Sequence, residues 1–473
     1  MRGVFRKAGR PRLRLSFRPL TPLPAPHLAY LVGGMIAQPI PTSRAPGLLS
    51  MLAFGFAPRR FAEHHRARFG QVYRFHSPFG DLVFTSDPEH VRRIFSADSA
   101  TFATFSERSL KALFGPKSVL LTWGPTHKRQ RKLLSPPLTG TRLRAFGSSM
   151  QDIADEHVSR LLPGTSFRAL DFTTQFTLDV IVRTVFGAST DREQRELREI
   201  LSALVRSVPA LPVFAPVLQQ PWFPPWSTFL RARAETQHWL EAKIGQRRRD
   251  SEPGDDVLSL LLASRYDDGS AMADDEVLDQ LLTLLLAGHE TTAIALAHCL
   301  GHIHRQPKAR ERLYEELDAT DLSHEHVQRL PYLSAVIDET LRLDPIVTDV
   351  ARVPHQDFAL DDRYVVTPRQ VLFVFIEAIH TDPTLYPEPL SFRPERFLER
   401  RYAPHEYMPF GGGVRRCLGA AFSDYETKIL LATLLKSREL RLLSRRPDPR
   451  VRRNITMGPK HGIAMKVERV RPS

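Results

Sequence analysis

The feature that most constrains the fold of this chain is a glycine-rich loop around Cys417, in the sequence MPFGGGVRRCLGAAF at residues 408–422. Glycines such as Gly411 allow the backbone to turn tightly and to direct N–H groups at the sulfur. A helix predicted to begin near Leu418 adds the positive end of its dipole, and Arg415 adds a formal charge. These groups favour the thiolate, which is the form of cysteine that binds metals. We therefore predict that Cys417 is a metal ligand.

This loop resembles the haem-binding loop of the cytochrome P450 family, F-x-x-G-x-R-x-C-x-G. The fixed positions are all filled, by Phe410, Gly413, Arg415, Cys417 and Gly419. The resemblance implies that Cys417 is the thiolate ligand of a haem b iron. It also implies that four neighbouring residues contact the cofactor: Phe410, Gly411, Arg415 and Gly419. The other cysteine, Cys299, lies on an apolar helix face and is interpreted as an inert buried thiol.

A long, mostly apolar helix is predicted over LDQLLTLLLAGHETTAIALAHCLGHI, residues 278–303. Its segment AGHET resembles the P450 motif A/G-G-x-D/E-T, which lies across the distal face of the haem. The resemblance implies that Ala287 and Gly288 leave room beside the cofactor for dioxygen, and that Glu290 and Thr291 are catalytic residues that deliver protons. Because successive helix positions point about 100° apart, we expect these two side chains to act through water. The alternative for Thr291 is back-bonding to the preceding turn.

Haem carries two propionates, so the resemblance also predicts cations directed at the cofactor. The sequence WGPTHKRQRKLL places His127 and Arg131 four residues apart on one helical face, and it resembles the haem-contacting helix of the family. Arg352 and Arg415 stand where the family places further propionate donors. Each of these residues alone is typical of a surface cation, but together with Cys417 they are predicted to form a clamp on the haem.

A structural network is predicted near the cysteine loop. Glu339 and Arg342 lie three residues apart on one helical face, which alone is typical of a surface salt bridge. The pair resembles the E-x-x-R motif of the P450 family, and it is followed by the sequence PERF, which contains Arg396. The resemblance implies a buried network of the three residues that holds the cysteine loop, because a buried charge is stable only when its partners are present.

Composition limits the compartment and the partners. The 473 residues contain two cysteines, which favours a reducing compartment, and we expect a cytoplasmic protein. The net charge of +14 predicts an acidic partner, an anionic membrane surface or a nucleic acid, and no nucleic-acid motif supports the last. Residues 1–50 are interpreted as a basic and apolar N-terminal extension. A helix that spans a bilayer needs about 20 residues, and the apolar stretch of this extension is shorter, so no transmembrane anchor is expected. We interpret the stretch as a signal peptide, a poorly ordered extension or a surface segment.

Residues 51–473 are predicted to form a single catalytic domain with the P450 fold, mainly α with a smaller β portion. Helical periodicity ends at Gly70, and QVYRFH and DLVFTS then predict a hairpin around SPFG. Residues from about 126 to 345 are predicted to be almost entirely helical. One interruption is the proline-rich segment 208–226, interpreted as a buried connector or as a substrate lid. A second loop is predicted from about residue 252 to 273, before the longest helix.

The resemblance implies a haem-thiolate monooxygenase that uses O2 to hydroxylate or epoxidise a lipophilic substrate, such as a fatty acid, terpenoid or steroid-like molecule. Its pocket is expected to be lined from residues 101–115, 214–226, 346–350 and 456–457. The sequence has no dinucleotide-binding or flavin motif, so NAD(P)H-derived electrons are expected to arrive through a separate acidic ferredoxin or flavodoxin. We expect a monomer that binds no nucleic acid. The alternatives are a peroxide-using or non-oxygenase haem-thiolate enzyme and a haem-binding sensor.

Overall fold

The computed structural model describes residues 30–32, 35–78, 80–105, 107–209, 212, 216–250 and 254–472. Most of these residues are helical, which confirms the predicted fold class. The helices are α1 (Gly47–Phe56), α2 (Pro58–Phe69), α3 (Pro88–Ser96), α4 (Glu107–Phe114), α5 (Gly124–Leu134), α6 (Gly140–Ala145), α7 (Gly147–Ser159), α8 (Ala169–Val180), α9 (Asp191–Ser207), α10 (Pro224–Arg249), α11 (Val257–Ala263), α12 (Asp274–Arg305), α13 (Pro307–Asp318), α14 (His324–Val327), α15 (Pro331–Leu343), α16 (Ile376–His380), α17 (Arg396–Glu399) and α18 (Ala420–Ser437).

The β portion consists of one larger sheet and several small ones. The strands are β1 (Tyr30–Val32), β2 (Met35–Ala37), β3 (Thr42–Ser43), β4 (Val72–Ser77), β5 (Gly80–Thr85), β6 (Phe102–Ala103), β7 (Ser166–Arg168), β8 (Val350–Pro354), β9 (Phe358–Ala359), β10 (Val365–Val366), β11 (Gln370–Val374), β12 (Arg438–Leu442), β13 (Arg450–Arg453), β14 (Thr456–Pro459) and β15 (Ala464–Val470). The larger sheet has the order β3-β4-β5-β11-β8-β6. Near the C-terminus, β12-β15-β7 form a second sheet, and β13 and β14 pair as a hairpin.

The predicted N-terminal helix and hairpin are confirmed. Gly70 follows α2 with a φ of +81°, a conformation that glycine adopts without strain. Strands β4 and β5 pair in antiparallel fashion, and β5 then pairs in parallel with β11. At the start of α3, the Asp87 carboxylate accepts a hydrogen bond of 2.8 Å from the Glu89 N–H, which satisfies a free donor of the first helical turn. The sequence therefore defines how the chain enters the sheet.

Helix α12 passes through the centre of the helical body and packs against α8, α15 and α18. By length and composition it could cross a membrane, but 67% of its most apolar window is buried inside the protein. Burial of this kind is typical of the core helix of a globular protein. The helix runs continuously through Gly288, so it forms a rigid wall for anything that packs beside it.

The prediction of a loop from about residue 252 to 273 is partly wrong, because α11 lies within this range. The Asp256 side chain caps this helix by accepting a hydrogen bond of 2.9 Å from the Ser259 N–H. Leu258, Leu261 and Leu262 then bury an apolar face. The capping residue and the leucines are a helix-start pattern, but the flanking Pro253-Gly254 and Asp268-Gly269 pairs hid it in the sequence.

The expected N-terminal extension only partly coincides with the described structure. Residues 1–29, 33 and 34 lie outside the described residues. Within the rest of the extension, β3 pairs in parallel with β4 of the larger sheet. The boundary drawn at residue 50 falls inside α1. The last part of the extension is therefore built into the folded structure.

Candidate active site

The Cys417 loop folds back on itself immediately before α18. The Cys417 N–H donates a hydrogen bond of 2.9 Å to the carbonyl of Phe410, whose side chain packs against the main core. Gly411 and Gly413 each have a φ of +64°, in the region that favours glycine. A Cβ atom on Gly413 would lie 2.0 Å from the Phe95 carbonyl oxygen. Glycine is therefore required where this loop passes α3.

Desolvation and positive charge act in opposite directions on the Cys417 thiol. Cys417 is exposed, but neighbouring protein atoms desolvate the thiol and raise its pKa, although the Gly419 N–H bonds to the sulfur and Arg416 and Arg131 act to lower the pKa. The positive surroundings expected from the sequence are present, but desolvation prevails over them. A coordinating metal ion deprotonates a thiol outright. The loop is thus suited to a thiolate that is stable when it is bound to a metal.

Across from this loop, α12 exposes two residues in the middle of a mostly buried helix. Ala287 and Gly288 are exposed, whereas Leu285 before them and His289 and Thr292 after them are buried. The Thr292 hydroxyl lies 3.1 Å from the Gly288 carbonyl oxygen and 3.1 Å from Ser423 Oγ in α18. This contact joins the exposed stretch of α12 to the helix that follows Cys417.

The two predicted catalytic residues make different contacts. Thr291 Oγ donates a hydrogen bond of 2.8 Å to the Ala287 carbonyl, which is the back-bonding alternative named above. Its hydroxyl oxygen keeps its acceptor capacity. Glu290 instead pairs with Arg453, with 3.3 Å between Oε1 and Nε. Burial raises the pKa of Glu290, and Arg453 and Thr456 oppose that shift. No direct contact joins Glu290 to Thr291, as their positions on the helix predict.

The four residues of the predicted haem clamp, three arginines and His127, lie close enough to affect one another's pKa values. Burial, followed by the charges of Arg415, Arg131 and Arg352, lowers the pKa of His127 to about 4. Burial followed by the charge of Arg415 lowers the pKa of Arg352 to about 10. Within the described part of the chain, no carboxylate forms an ion pair with Arg131, Arg352 or Arg415. The structure therefore brings these residues together as a positive cluster without internal compensation.

The donor set at this cluster fits the two propionates of haem. Arg415 donates to the carbonyls of Leu120 and Thr122 (3.3 and 2.6 Å), which fixes its guanidinium next to the cysteine loop. The buried His127 Nδ1 has no hydrogen-bond partner among the described residues, and an unpaired buried polar atom is costly. Like charges held this close to a thiol require an anionic partner. Haem supplies both an iron for the sulfur and anions for the cations.

The predicted buried network beside the loop is present. Arg342 donates two hydrogen bonds, of 2.6 and 2.8 Å, to the Glu339 carboxylate, and Arg396 Nε donates a third of 3.1 Å. All three side chains are buried. Arg342 also donates to the carbonyls of His380 and Pro389. These bonds join residues 380 and 389 to α15. The buried network of the three residues is therefore confirmed, and its role in holding the cysteine loop stays a prediction.

Comparison with known proteins identifies the family. The cytochrome P450 family model matches residues 39–465, a range that includes the cysteine loop, α12 and the cation cluster. The chain belongs to the cytochrome P450 family. The match makes it a haem-dependent monooxygenase by class, and it confirms the resemblance drawn from the motifs.

Mycobacterial P450s are among its relatives. Cytochrome P450 135A1 of Mycobacterium tuberculosis is 32% identical over 445 residues, which covers 91% of this chain and 97% of that protein. Cytochrome P450 135B1 of Mycobacterium bovis is also 32% identical, with coverage of 87% and 88%.

Solved P450 structures share the fold. The retinoic acid-bound cyanobacterial CYP120A1 has a TM-score of 0.81 and 26% identity, with 91% of this chain and 99% of that chain covered. A mutant haem domain of cytochrome P450DA has a TM-score of 0.80 and 24% identity, with coverage of 92% and 98%. The second likeness concerns the fold alone.

The sequence did not single out Arg453 as a residue of this P450 site. It ends β13 and reaches Glu290 across the tip of the β13–β14 hairpin, where Asn454 has a φ of +55°. In the sequence it belongs to an arginine-rich stretch from residue 438 to 453 that is typical of a solvated surface. An asparagine after the arginines indicates a tight turn, but only the fold shows that the turn lies over α12.

Proposed function

We propose that this P450 monooxygenase hydroxylates or epoxidises a lipophilic small molecule, such as a fatty acid, terpenoid or steroid-like compound. The observation that carries the proposal is that α18, the helix that follows Cys417, is joined through Ser423 and Thr292 to the exposed Ala287–Gly288 stretch of α12. A reactive centre held between them would have a sulfur ligand on one side and an open helix face on the other. Such an arrangement suits chemistry on small gaseous and apolar molecules.

When bound, haem supplies reductive activation of dioxygen, which electron donation from a cysteine thiolate favours. In this chain we assign the iron ligand to Cys417. Phe410, Gly411 and Gly419 shape the backbone around the sulfur. His127, Arg131, Arg352 and Arg415 would hold the propionates. These roles rest on the contacts described above and on the order of the motifs.

Proton delivery is assigned to Glu290 and Thr291. Glu290 is half-buried beside Arg453 and can exchange protons with water at the edge of α12. Thr291 donates to its own helix and can accept a hydrogen bond from a water molecule on the open side. General acid catalysis of this kind needs a positioned donor and a path for replacement protons. Glu290 gathers protons in this scheme, and Thr291 orients the water that presents them.

The substrate class is inferred from the residues that approach the site. Met457 N–H donates a hydrogen bond of 2.8 Å to the Ile346 carbonyl, which brings two of the expected lining segments together. Ile346, Met457, Leu113 and Phe114 are buried and apolar, as lipophilic ligands require. Of the proline-rich segment 208–226, residues 210, 211 and 213–215 lie outside the described structure, so the substrate-lid interpretation stays a prediction. The related CYP120A1 was solved with retinoic acid bound, a lipophilic carboxylic acid.

Electrons are proposed to come from a separate acidic ferredoxin or flavodoxin. The cations of α5 and of the segment after PERF are candidates to attract this partner. Four of them are paired on the surface: Lys128 with Asp98, Arg129 with Asp268, Lys132 with Asp267 and Arg400 with Glu406. Arg401 and Arg416 are exposed and form no ion pair within the described residues. We therefore propose these two arginines as the docking charges. A cytoplasmic, monomeric enzyme is part of the same proposal.

The decisive experiment follows the oxygen atom. The purified holoprotein is incubated with a library of fatty acids, terpenoids and steroids, and ligands are selected by the change they cause in the haem spectrum. Selected ligands are then turned over with a ferredoxin, its reductase and isotopically labelled O2. One labelled oxygen atom per product is expected. Product formed only with peroxide, or without label, would contradict the proposal and favour a peroxide-using enzyme.

A further inference from the structure

Helix α1 presents an apolar face to the outside of the protein. The exposed fractions are 61% for Leu48, 59% for Leu49, 45% for Leu52 and 73% for Phe56. At about 100° per residue, these four side chains fall within one face of the helix. The helix GLLSMLAFGF has no charged residue. A surface helix normally directs polar residues outward, so this face is arranged for an apolar environment.

The opposite face of α1 is already used inside the protein. Ser50 is buried, and Phe54 packs edge-on against Phe84 with 5.1 Å between ring centroids. Met51 also packs against the aromatic cluster beneath the larger sheet. The helix is therefore fixed in place by its inner face. The outer leucines and Phe56 are consequently not available to the core of the same chain.

The chain around α1 is uniformly positive. The first acidic residue in the sequence is Glu63. The preceding residues contain only basic charges: Arg2, Arg6, Lys7, Arg10, Arg12, Arg14, Arg18, Arg44, Arg59 and Arg60. Arg44 and Arg60, which flank α1, are exposed. Neither of them pairs with a carboxylate within the described structure.

We infer that α1 is an in-plane docking helix for the surface of a membrane that contains anionic lipids. An apolar helix face bordered by cations binds such a surface because the acyl boundary accepts the apolar side chains and the headgroups attract the charges. At ten residues the helix is too short to span the bilayer. It therefore lies on the membrane, with Leu48, Leu49, Leu52 and Phe56 inserted.

Charge distinguishes this partner from the other candidates. A second copy of the chain would bring its own uniformly basic N-terminal segment to the same face, and like charges repel. A nucleic acid would satisfy Arg44 and Arg60 but offers no apolar partner for four exposed hydrophobic side chains. An anionic membrane satisfies both the charge and the apolar face. This inference does not depend on the proposed substrate.

The docking helix is also joined to the distal side of the active site. Arg452 Nε donates a hydrogen bond of 2.7 Å to the Gly55 carbonyl of α1, and its guanidinium lies 5.7 Å from the centroid of the Phe54 ring. The next residue, Arg453, contacts Glu290 on α12. Docking would therefore hold the hairpin side of the catalytic body against the membrane, where lipophilic molecules are concentrated.

The test is flotation of the full-length holoprotein with vesicles of phosphatidylcholine, alone or mixed with phosphatidylglycerol. The wild type is expected to bind the mixed vesicles at low salt and to bind neutral vesicles weakly. Substituting Leu48→Ser, Leu49→Ser, Leu52→Ser and Phe56→Ser together should reduce the partition coefficient by more than about tenfold. Replacing Arg44→Gln and Arg60→Gln should reduce it roughly tenfold at low salt and less at high salt.

Matched controls remove exposed leucines and exposed cations that lie outside α1. Leu162 and Leu390 are as exposed as the leucines of α1, at 62% and 56%, and the double change to Ser should leave binding unchanged. Lys308→Gln with Arg329→Gln, both on other surfaces, should also have little effect. Unaltered haem spectra and melting temperatures show that each variant is folded.

Several results would overturn the inference. The first is a wild type that does not float with anionic vesicles, and the second is an α1 variant that binds them as well as the wild type. Light scattering that shows α1 to hold two copies together, with vesicle binding unaffected, would assign the face to a dimer instead. Binding of a nucleic acid in place of vesicles, lost on removal of Arg44 and Arg60 alone, would equally exclude the membrane.

Discussion

Arg453 Nε lies 3.3 Å from Glu290 Oε1 and links the tip of the β13–β14 hairpin to the central helix. Burial raises the pKa of Glu290, and the charge of Arg453 is the first of the groups that lower it. The nearby hydroxyl of Thr456 acts in the same direction, whereas the buried His289 next to it has its own pKa lowered to about 4 and is neutral at pH 7. Arg453 is therefore the cation that sets the ionisation of Glu290.

Replacing Arg453 by Met should raise the pKa of Glu290, because burial then acts without an opposing charge. The carboxylate would form only at higher pH, so the rising limb of the pH profile of coupled turnover should move upward. The measurement is the ratio of product to reductant consumed as a function of pH, with Arg453→Lys expected to restore the wild-type profile. An identical profile in the Met and Lys variants would show that the ion pair has only a structural role.

Thr291→Ala should uncouple the reaction. Oxygen and reductant are expected to be consumed at a rate within about threefold of the wild type, while most of the reduced oxygen leaves as peroxide because proton delivery is no longer ordered. Thr291→Ser should retain coupling. Thr292→Ala is the matched control, since Thr292 bonds to Ser423 and belongs to the packing between α12 and α18. Tight coupling in Thr291→Ala would argue against the relay.

The sequence predicted the parts of this site that local motifs encode. The loop from Phe410 to Gly419 and the pair of Glu339 and Arg342 each lie within a short backbone segment that determines their geometry. Arg396 lies 57 positions from Glu339 and was predicted through the resemblance to the P450 family. The Arg453 contact could not be predicted, because Arg453 and Glu290 lie 163 positions apart in the sequence and meet only in the tertiary fold. The outward leucines of α1 were equally hidden, since its composition alone is that of a core helix.

One segment departs from the resemblance to the P450 family. In DDRYVVTPRQV the glycine usual after Pro368 is Gln370, and the glycine usual before it is absent, which puts one β-turn in doubt. The turn still forms, because Gln370 N–H donates to the Thr367 carbonyl and the Gln370 side-chain oxygen accepts from the Thr367 N–H, both at 3.0 Å. A side-chain amide replaces the conformational freedom of glycine.

Cys417→Ser should remove the thiolate ligand while the cation cluster and α12 stay in place. Any haem retained is expected to lose the thiolate signature in the reduced, carbonyl-bound spectrum. Cys299→Ser is the control, because Cys299 is buried and its pKa is raised to about 12 by desolvation. That variant should keep the signature. A thiolate spectrum in Cys417→Ser would remove Cys417 from its assigned role.

Reversing charge at Arg401 should slow the first reduction of the haem by an acidic ferredoxin. The effect is expected to be several-fold at low salt and to vanish at high salt, since screening acts over about 10 Å at 0.1 M. Stopped-flow reduction with the Arg401→Glu variant measures it, with Lys308→Glu as a surface control and substrate binding as a check on folding. Equal rates for both variants at every salt concentration would place the docking surface elsewhere.

Asp338 provides a prediction about stability and pH. The Tyr407 hydroxyl donates a hydrogen bond of 2.9 Å to its Oδ1, yet burial raises the pKa of Asp338 to about 6. The folded protein therefore binds more protons than the unfolded chain between the ordinary Asp pKa of 3.8 and the raised pKa of about 6. Stability falls as pH rises through this window and stays reduced above it.

Asp338→Asn removes the loss of stability that accompanies ionisation of Asp338. The amide oxygen carries no charge and still accepts a hydrogen bond from the Tyr407 hydroxyl. The variant should be more stable than the wild type by on the order of 1 kcal/mol above about pH 7, and the difference should shrink as the pH falls toward 4. Denaturant midpoints of the holoprotein at several pH values measure the gain, with Asp152→Asn on the exposed face of α7 as the control. A variant that is less stable than the wild type at every pH would contradict this prediction. It would mean that the attraction between Lys428 and the ionised Asp338 outweighs the effect of burial.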